Sequence, residues 1–140
     1  AEVVLYDPAV DVAVLRVPDL DADPLQFDSQ AASAGDDAII VGYPLDGPYT
    51  ATAAKVRSMI RLKGPDIYDD GEVTREVYTV RAVVRSGNSG GPMIAPDGRV
   101  FGAALDDQET GFVLTVDQVS GAVQAAGRLR RGVDTGSCAA

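Results

Sequence analysis

Gly87-Asn88-Ser89-Gly90-Gly91-Pro92 is the stretch of this sequence best suited to chemistry. A serine hydroxyl is a weak nucleophile until a neighbouring base takes its proton. It also needs backbone N–H groups aimed at the oxyanion that develops on the attacked carbonyl. Flanking glycines permit conformations closed to other residues and leave room for a substrate. A glycine two residues before the serine lets the N–H groups of Gly87 and Ser89 converge. The plain alternative is a glycine-rich turn with an incidental serine, because short motifs also match by chance. Gly87–Gly91 fits the nucleophile elbow of α/β-hydrolases too, but that motif needs a helix after the serine. Here Pro92-Met93-Ile94-Ala95 and an Asp-Gly turn follow, which read as a strand, and no histidine comes after Ser89. The elbow is thereby excluded.

No histidine occurs anywhere in the 140 residues. A complete Ser-His-Asp triad therefore cannot be built from this chain alone, and imidazole metal sites are excluded. Cys138 is the one cysteine, so neither an internal disulfide nor a thiolate cluster is possible. It is either a free tail thiol or the partner of a cysteine outside this chain, and the second requires an oxidising compartment. No metal and no cofactor is expected. A formal charge of −9 argues against partners rich in phosphate, such as nucleic acid or an anionic lipid surface. With 46% hydrophobic residues the chain can bury a core. No apolar run approaches the ~18 residues of a membrane span. Ala1-Glu2-Val3-Val4-Leu5 lacks the basic start of a signal peptide, and the chain opens within a strand pattern, as though cut there.

The elements that must position Ser89 read mostly as strands. Glu2–Tyr6 and Asp11–Val17 are short β-branched runs joined by the turn Asp7-Pro8-Ala9-Val10. Residues 18–36 are acidic, carry Pro18 and Pro24, and read as a solvated linker. Strand signals then follow at Asp37–Tyr43, Thr50–Leu62, Arg75–Val84, Pro92–Ala95, Arg99–Leu105 and Gly111–Val116. In Thr50–Leu62, Val56, Ile60 and Leu62 form one parity against Ala51, Ala53, Lys55, Arg57 and Met59. Asp117 is expected to cap a helix over Asp117–Arg130 with Val119, Val123 and Ala126 on one face. Six antiparallel strands suit a small Greek-key barrel. The two strands before the linker are too few to stand alone, so the pattern reads as one whole barrel plus the end of another.

Gly-Asn-Ser-Gly-Gly-Pro, followed by an apolar strand, an Asp-Gly turn and Val100-Phe101-Gly102, resembles the trypsin-like serine proteases of chymotrypsin fold, especially the HtrA-like branch. Tyr6-Asp7-Pro8-Ala9-Val10-Asp11-Val12-Ala13-Val14-Leu15 resembles the family's aspartate motif, with Asp11 in the triad position. The stretches around Arg57-Ser58-Met59-Ile60 and Thr74–Asn88 look similar to a periplasmic, membrane-anchored group tied to acid resistance. The resemblance implies an all-β double six-stranded barrel. Residues 1–17 would be the last strands of the N-terminal barrel, 18–36 the interbarrel linker, 37–116 the C-terminal barrel, 117–130 its helix and 131–140 a tail. The serine would lie at the turn of the fifth strand of the second barrel.

The same resemblance implies residue roles. Ser89 would be the nucleophile, Gly87 and Ser89 N–H groups the oxyanion hole, and Asp11 the group that orients a histidine. That histidine would come from an N-terminal segment absent from this chain, to which Cys138 would be tethered by a disulfide. Val83, six residues before Ser89, would lie at the base of the specificity pocket, or else in the barrel core. Lys55 and Lys63, the only lysines, leave a Ser-Lys dyad conceivable, although both should point to solvent. Tyr43, Tyr49, Tyr68 and Tyr78 read as packing or rim residues. The expected partners are that N-terminal segment and a protein or peptide substrate, with membrane attachment only through an upstream anchor. A noncatalytic peptide-binding barrel is the competing reading, and a product of autocleavage is a third.

Overall fold

Alternating apolar residues give the chain strands long enough to pair on both sides. In the computed structural model, residues 1–105 and 111–136 are described. β1 (Glu2–Asp7) and β2 (Val12–Arg16) make an antiparallel two-stranded ribbon. β3 (Asp37–Gly42), β4 (Thr50–Pro65), β5 (Glu72–Arg81), β6 (Pro92–Ile94), β7 (Val100–Leu105) and β8 (Gly111–Thr115) follow, and then a helix, α1 (Val116–Ala126). β3 to β8 close into one barrel in the order β3-β4-β5-β8-β7-β6, every neighbouring pair antiparallel. Closure leaves no unpaired edge within the barrel.

Ile40, Val56, Tyr78, Val80, Met93, Phe101, Ala104 and Val113 fill the interior. Tyr78 is a core residue with no exposed surface, and burial pushes its phenol pKa up. A buried hydroxyl needs a partner, and the linker supplies it: the Ala32 N–H donates to Tyr78 Oη at 3.0 Å. The linker is therefore only partly a solvated strip. Its acidic start is exposed, but Phe27 bridges Val100. The Asp28 N–H donates to Val100 O at 2.9 Å, and the Val100 N–H donates to Gln26 O at 2.8 Å.

Two expected elements differ in detail. The β4–β5 pairing shifts register between Val56 and Ser58, a bulge that breaks the simple alternation. Ala54 and Val56 are buried before it, whereas Met59 and Ile60 are both exposed after it. Farther along, residues 61–65 of β4 and 72–76 of β5 pair only with each other among the described residues and extend past the barrel as a projecting ribbon. The helix is also shorter than Asp117–Arg130. Thr115, not Asp117, is the N-cap and makes no side-chain cap bond; Gly127 ends the helix. Ala126 is buried, but Val123 is exposed.

A lone two-stranded ribbon is marginal in water, so β1–β2 must be held by other elements. α1 packs against both strands. The segment after the helix adds polar ties. The Val133 N–H donates to Val3 O at 2.9 Å, the Gly132 N–H donates to Glu2 Oε1 at 2.8 Å, and Arg16 Nη1 and Nη2 donate to Arg130 O at 3.2 and 3.1 Å. Arg16 also pairs with Glu2.

Removing the Tyr78 hydroxyl should cost about 1–3 kcal/mol, the penalty of leaving a buried N–H unpaired. Tyr78→Phe should accordingly lower the urea midpoint, and an unchanged midpoint would show that the Ala32 contact contributes nothing. The hydrogen bond from Arg16, with that from Gly132, holds the Glu2 carboxyl below its ordinary pKa of 4.5. A lowered folded pKa means stability that is present above the unfolded value and is lost as pH falls through the folded one. Carboxyl NMR should find Glu2 titrating below 4.5, with wild-type Tm falling in that range more than that of Glu2→Gln. A midpoint at or above 4.5 would contradict this.

Candidate active site

Ser89 lies in the connection from β5 to β6, at the fourth strand of the barrel and not the fifth. Its loop is wedged between two walls. On one side Gly87 backs onto the short 3-10 turn Pro44–Asp46: a Cβ on Gly87 would stand 2.5 Å from Tyr43 O and 3.1 Å from Leu45 N. Gly87 also has φ +94°, so both space and backbone demand glycine there. The Leu45 N–H donates to Ser86 O at 2.8 Å, while Leu45 and Asp46 themselves sit at φ 56° and 55°. On the other side β7 stitches the loop down: the Gly90 N–H donates to Ala104 O, and the Ala104 N–H to Gly91 O, both at 2.8 Å.

Within this loop the backbone N–H groups are not all used. Asn88 donates to Arg85 O and Gly91 to Asn88 O, each at 2.9 Å. Among the described residues the N–H groups of Gly87 and Ser89 make no hydrogen bond. Asn88 is buried, whereas Ser89 is exposed. The serine therefore stands on a loop whose shape is set from behind and whose front carries two unused donors.

Asp11 occupies the turn of the β1–β2 ribbon. Asp7 builds that turn: its Oδ1 accepts the N–H groups of Ala9 and Val10 at 3.0 and 3.1 Å, and its O accepts the Asp11 N–H at 2.9 Å. Asp11 has φ 67°, a left-handed conformation that aspartate adopts more readily than most residues. Its carboxylate makes no hydrogen bond or ion pair among the described residues.

Asp11 and Ser89, 78 positions apart in the sequence, line one cleft of about 670 Å³. Leu62 and Arg75 from the projecting ribbon, Phe112 and Leu114 from β8, and Val119 from α1 complete its walls. Arg75 Nη1 donates to Pro65 O at 3.2 Å, and its Nε is buried with no partner among the described residues. Sequence reading missed Leu62, Arg75 and Phe112 as site neighbours, because no local motif marks them. Nor did it pair the Pro44-Leu45-Asp46-Gly47-Pro48 turn with Gly87, although the turn itself was visible.

The remaining candidates separate clearly. Val83 is 61% exposed, so the core alternative fails; it borders a smaller cavity of about 360 Å³ with Leu45, Thr50, Thr52, Arg85 and Asn88. Lys55 pairs with Asp37 at 2.6 Å and does not line the cleft. Lys63 does line it, but its exposed amine faces Glu72 at 3.5 Å, unlike the desolvated amine a lysine base requires. Tyr43 and Tyr49 are exposed and meet edge to face at 5.8 Å. Cys138 lies outside the described residues.

Gly87→Ala should destabilise the loop by about 1–3 kcal/mol, the scale for a side chain forced into a disfavoured backbone conformation. Reaction of Ser89 with a fluorophosphonate should fall with it in the full-length protein. Wild-type reactivity in this variant would show that the Tyr43–Leu45 wall does not set the loop.

Comparison with known proteins agrees with this geometry. The family described as "Trypsin-like peptidase domain" matches residues 1–102. Serine protease Rv3671c of Mycobacterium tuberculosis is 53% identical over 143 residues, an alignment covering 99% of this chain and 36% of that protein. The crystal structure of its protease in the active form superposes with a TM-score of 0.89 at 49% identity, covering 99% of this chain and 63% of that one. The inactive form gives 0.77 at 51% identity and covers 89% of this chain and 65% of that one. Serine protease Do-like HtrA of Lactococcus lactis is 32% identical over 106 residues, covering 73% of this chain and 26% of that protein. This chain thus spans about a third of the length of the mycobacterial protein. The fold is that of a chymotrypsin-like protease, with a complete second barrel and its C-terminal helix, and the chain belongs to the trypsin-like serine peptidase family.

Proposed function

We propose that this chain is the nucleophile-bearing part of a serine endopeptidase whose histidine is carried by a segment N-terminal to it. The observation that carries the reading is the shared cleft, lined by both Ser89 and Asp11: among the described residues the Gly87 and Ser89 N–H groups and the Asp11 carboxylate have no partner. Histidine is the one triad member with no representative in the sequence. An imidazole between Asp11 and Ser89 would take the Ser89 proton as its Oγ attacks the scissile carbonyl. Asp11 would hold that imidazole in the required tautomer and stabilise its cationic form. The Gly87 and Ser89 N–H groups would donate to the oxyanion of the tetrahedral intermediate. Collapse would release the amine, now protonated by the histidine, and leave an acyl group on Ser89 for water to remove.

Residues 1–17 are, in this reading, the last strands of the first barrel. Their ribbon pairs with no other strand among the described residues, which supports a missing neighbour. Val83 presents no carboxylate to a basic side chain, so selectivity for Lys or Arg does not arise from it. Cys138 would tether the tail to the N-terminal segment, and the protein would act outside the cytoplasm. No helix among the described residues is long and apolar enough to cross a membrane, so the anchor in this proposal belongs to the upstream segment. The substrate class is protein or peptide, and no cofactor is involved.

The full-length protein should be labelled by a fluorophosphonate on Ser89, and Ser89→Ala should abolish the label. Asp11→Asn should lower kcat by roughly 10³–10⁴-fold, the effect expected when the imidazole loses its orienting carboxylate. A full-length protein with no histidine beside Asp11 and Ser89, or without labelling, would leave the noncatalytic peptide-binding barrel as the correct reading.

A further inference from the structure

Asp11 can orient a histidine only if the β1–β2 ribbon is held in a definite place, and Tyr68 is one point where the barrel meets β1. It sits at the tip of the projecting β4–β5 ribbon, in a loop organised by Asp66. Asp66 Oδ1 accepts the N–H groups of Tyr68 and Asp70 at 2.9 and 3.0 Å, and the Asp66 N–H donates to Gly71 O at 3.0 Å. The Tyr68 hydroxyl lies 2.8 Å from Thr135 O and 3.2 Å from Tyr6 Oη. A phenol has one proton, and a carbonyl cannot donate. Tyr68 therefore donates to Thr135 O, and its oxygen also stands within hydrogen-bond distance of the Tyr6 hydroxyl. Gly136, at φ +60°, lets the tail fold across this point, since a Cβ there would stand 2.9 Å from the Tyr68 oxygen.

One hydroxyl thus joins three pieces of the molecule: the barrel's projecting ribbon, the tail after α1, and strand β1. Tyr6 is adjacent to Asp7, whose carboxylate builds the turn that carries Asp11. The tail is in turn bonded to β1 through Val133 and Gly132. Ser89 belongs to the barrel and Asp11 to the ribbon, so any slack between the two bodies becomes slack between nucleophile and orienting carboxylate.

We propose that Tyr68 is a positioning residue for the proposed protease reaction: its hydroxyl, held between Tyr6 and Thr135, fixes the Asp11-bearing ribbon relative to Ser89. The inference rests on the serine-protease reading. Its test is Tyr68→Phe in the full-length protein, which keeps the ring and removes the hydroxyl. Amide hydrogen exchange at Val12–Arg16 should quicken about three- to tenfold, as expected for the loss of one tie. In the same variant kcat should fall about tenfold with KM unchanged, because a small misplacement of a catalytic group is costly in rate. Unaltered exchange would overturn the tie whether or not the protein is a protease. Faster exchange with unaltered kcat, or a change confined to KM, would overturn the positioning role. Absence of peptidase activity in the wild type would instead count against the parent reading.

Discussion

Everything proposed for this molecule depends on how a two-stranded ribbon is fastened to a closed barrel. The barrel satisfies its own backbone by closing β3 against β6, and it buries its own core. Among the described residues the β1–β2 ribbon pairs with no further strand, and two strands alone bury little apolar surface. α1, the tail from Arg130 to Thr135 and the tip of the β4–β5 ribbon hold it. The result is a cleft with Asp11 on one body and Ser89 on the other. Chemistry requiring both residues is therefore only as well ordered as the contacts between the bodies.

The serine loop shows a different kind of order. Its conformation is imposed from behind by backbone, not by side-chain bonds. The Tyr43–Leu45 wall occupies the space any Gly87 side chain would need, and β7 holds Gly90 and Gly91 through main-chain bonds. Leu45 and Asp46 adopt left-handed backbone angles in that wall, a conformation costing of order 1–3 kcal/mol per residue unless the surroundings compensate. Strain of this kind persists where the fold over-determines a shape. Here the over-determined shape leaves the Gly87 and Ser89 N–H groups without partners among the described residues. Charge plays a smaller part: the recorded ion pairs are substantially exposed, and exposed pairs contribute little to stability.

The sequence was most legible where its signals are local. Six strand patterns after the linker became the six strands of the barrel, and the Asp7-Pro8 turn formed as its residue types require. It was less legible where a single backbone event changes the periodicity. The bulge after Val56 shifts the alternation, and beyond it both Met59 and Ile60 are exposed, which alternation alone cannot anticipate. The cap of α1 moved to Thr115 because β8 runs directly into the helix, leaving no separate turn for Asp117 to terminate. Part of the acidic linker also proved to be structural. Tyr78 lies in the barrel interior, and its buried hydroxyl needs a partner that only a segment lying over it could supply.

By itself the sequence determined which chemistry could be present. The order of Asp11, linker and Ser89, the glycines around the serine, and the total lack of histidine are properties of the string, and together they point to a family and leave no imidazole among these residues. Tertiary structure alone decided that Asp11 and Ser89 line one cleft, that Val83 faces a cavity rather than the core, and that Tyr68 ties the tail to β1. The physical reason is range. Turn chemistry and alternation act over a few residues, whereas these three outcomes depend on how rigid bodies distant in the chain pack together.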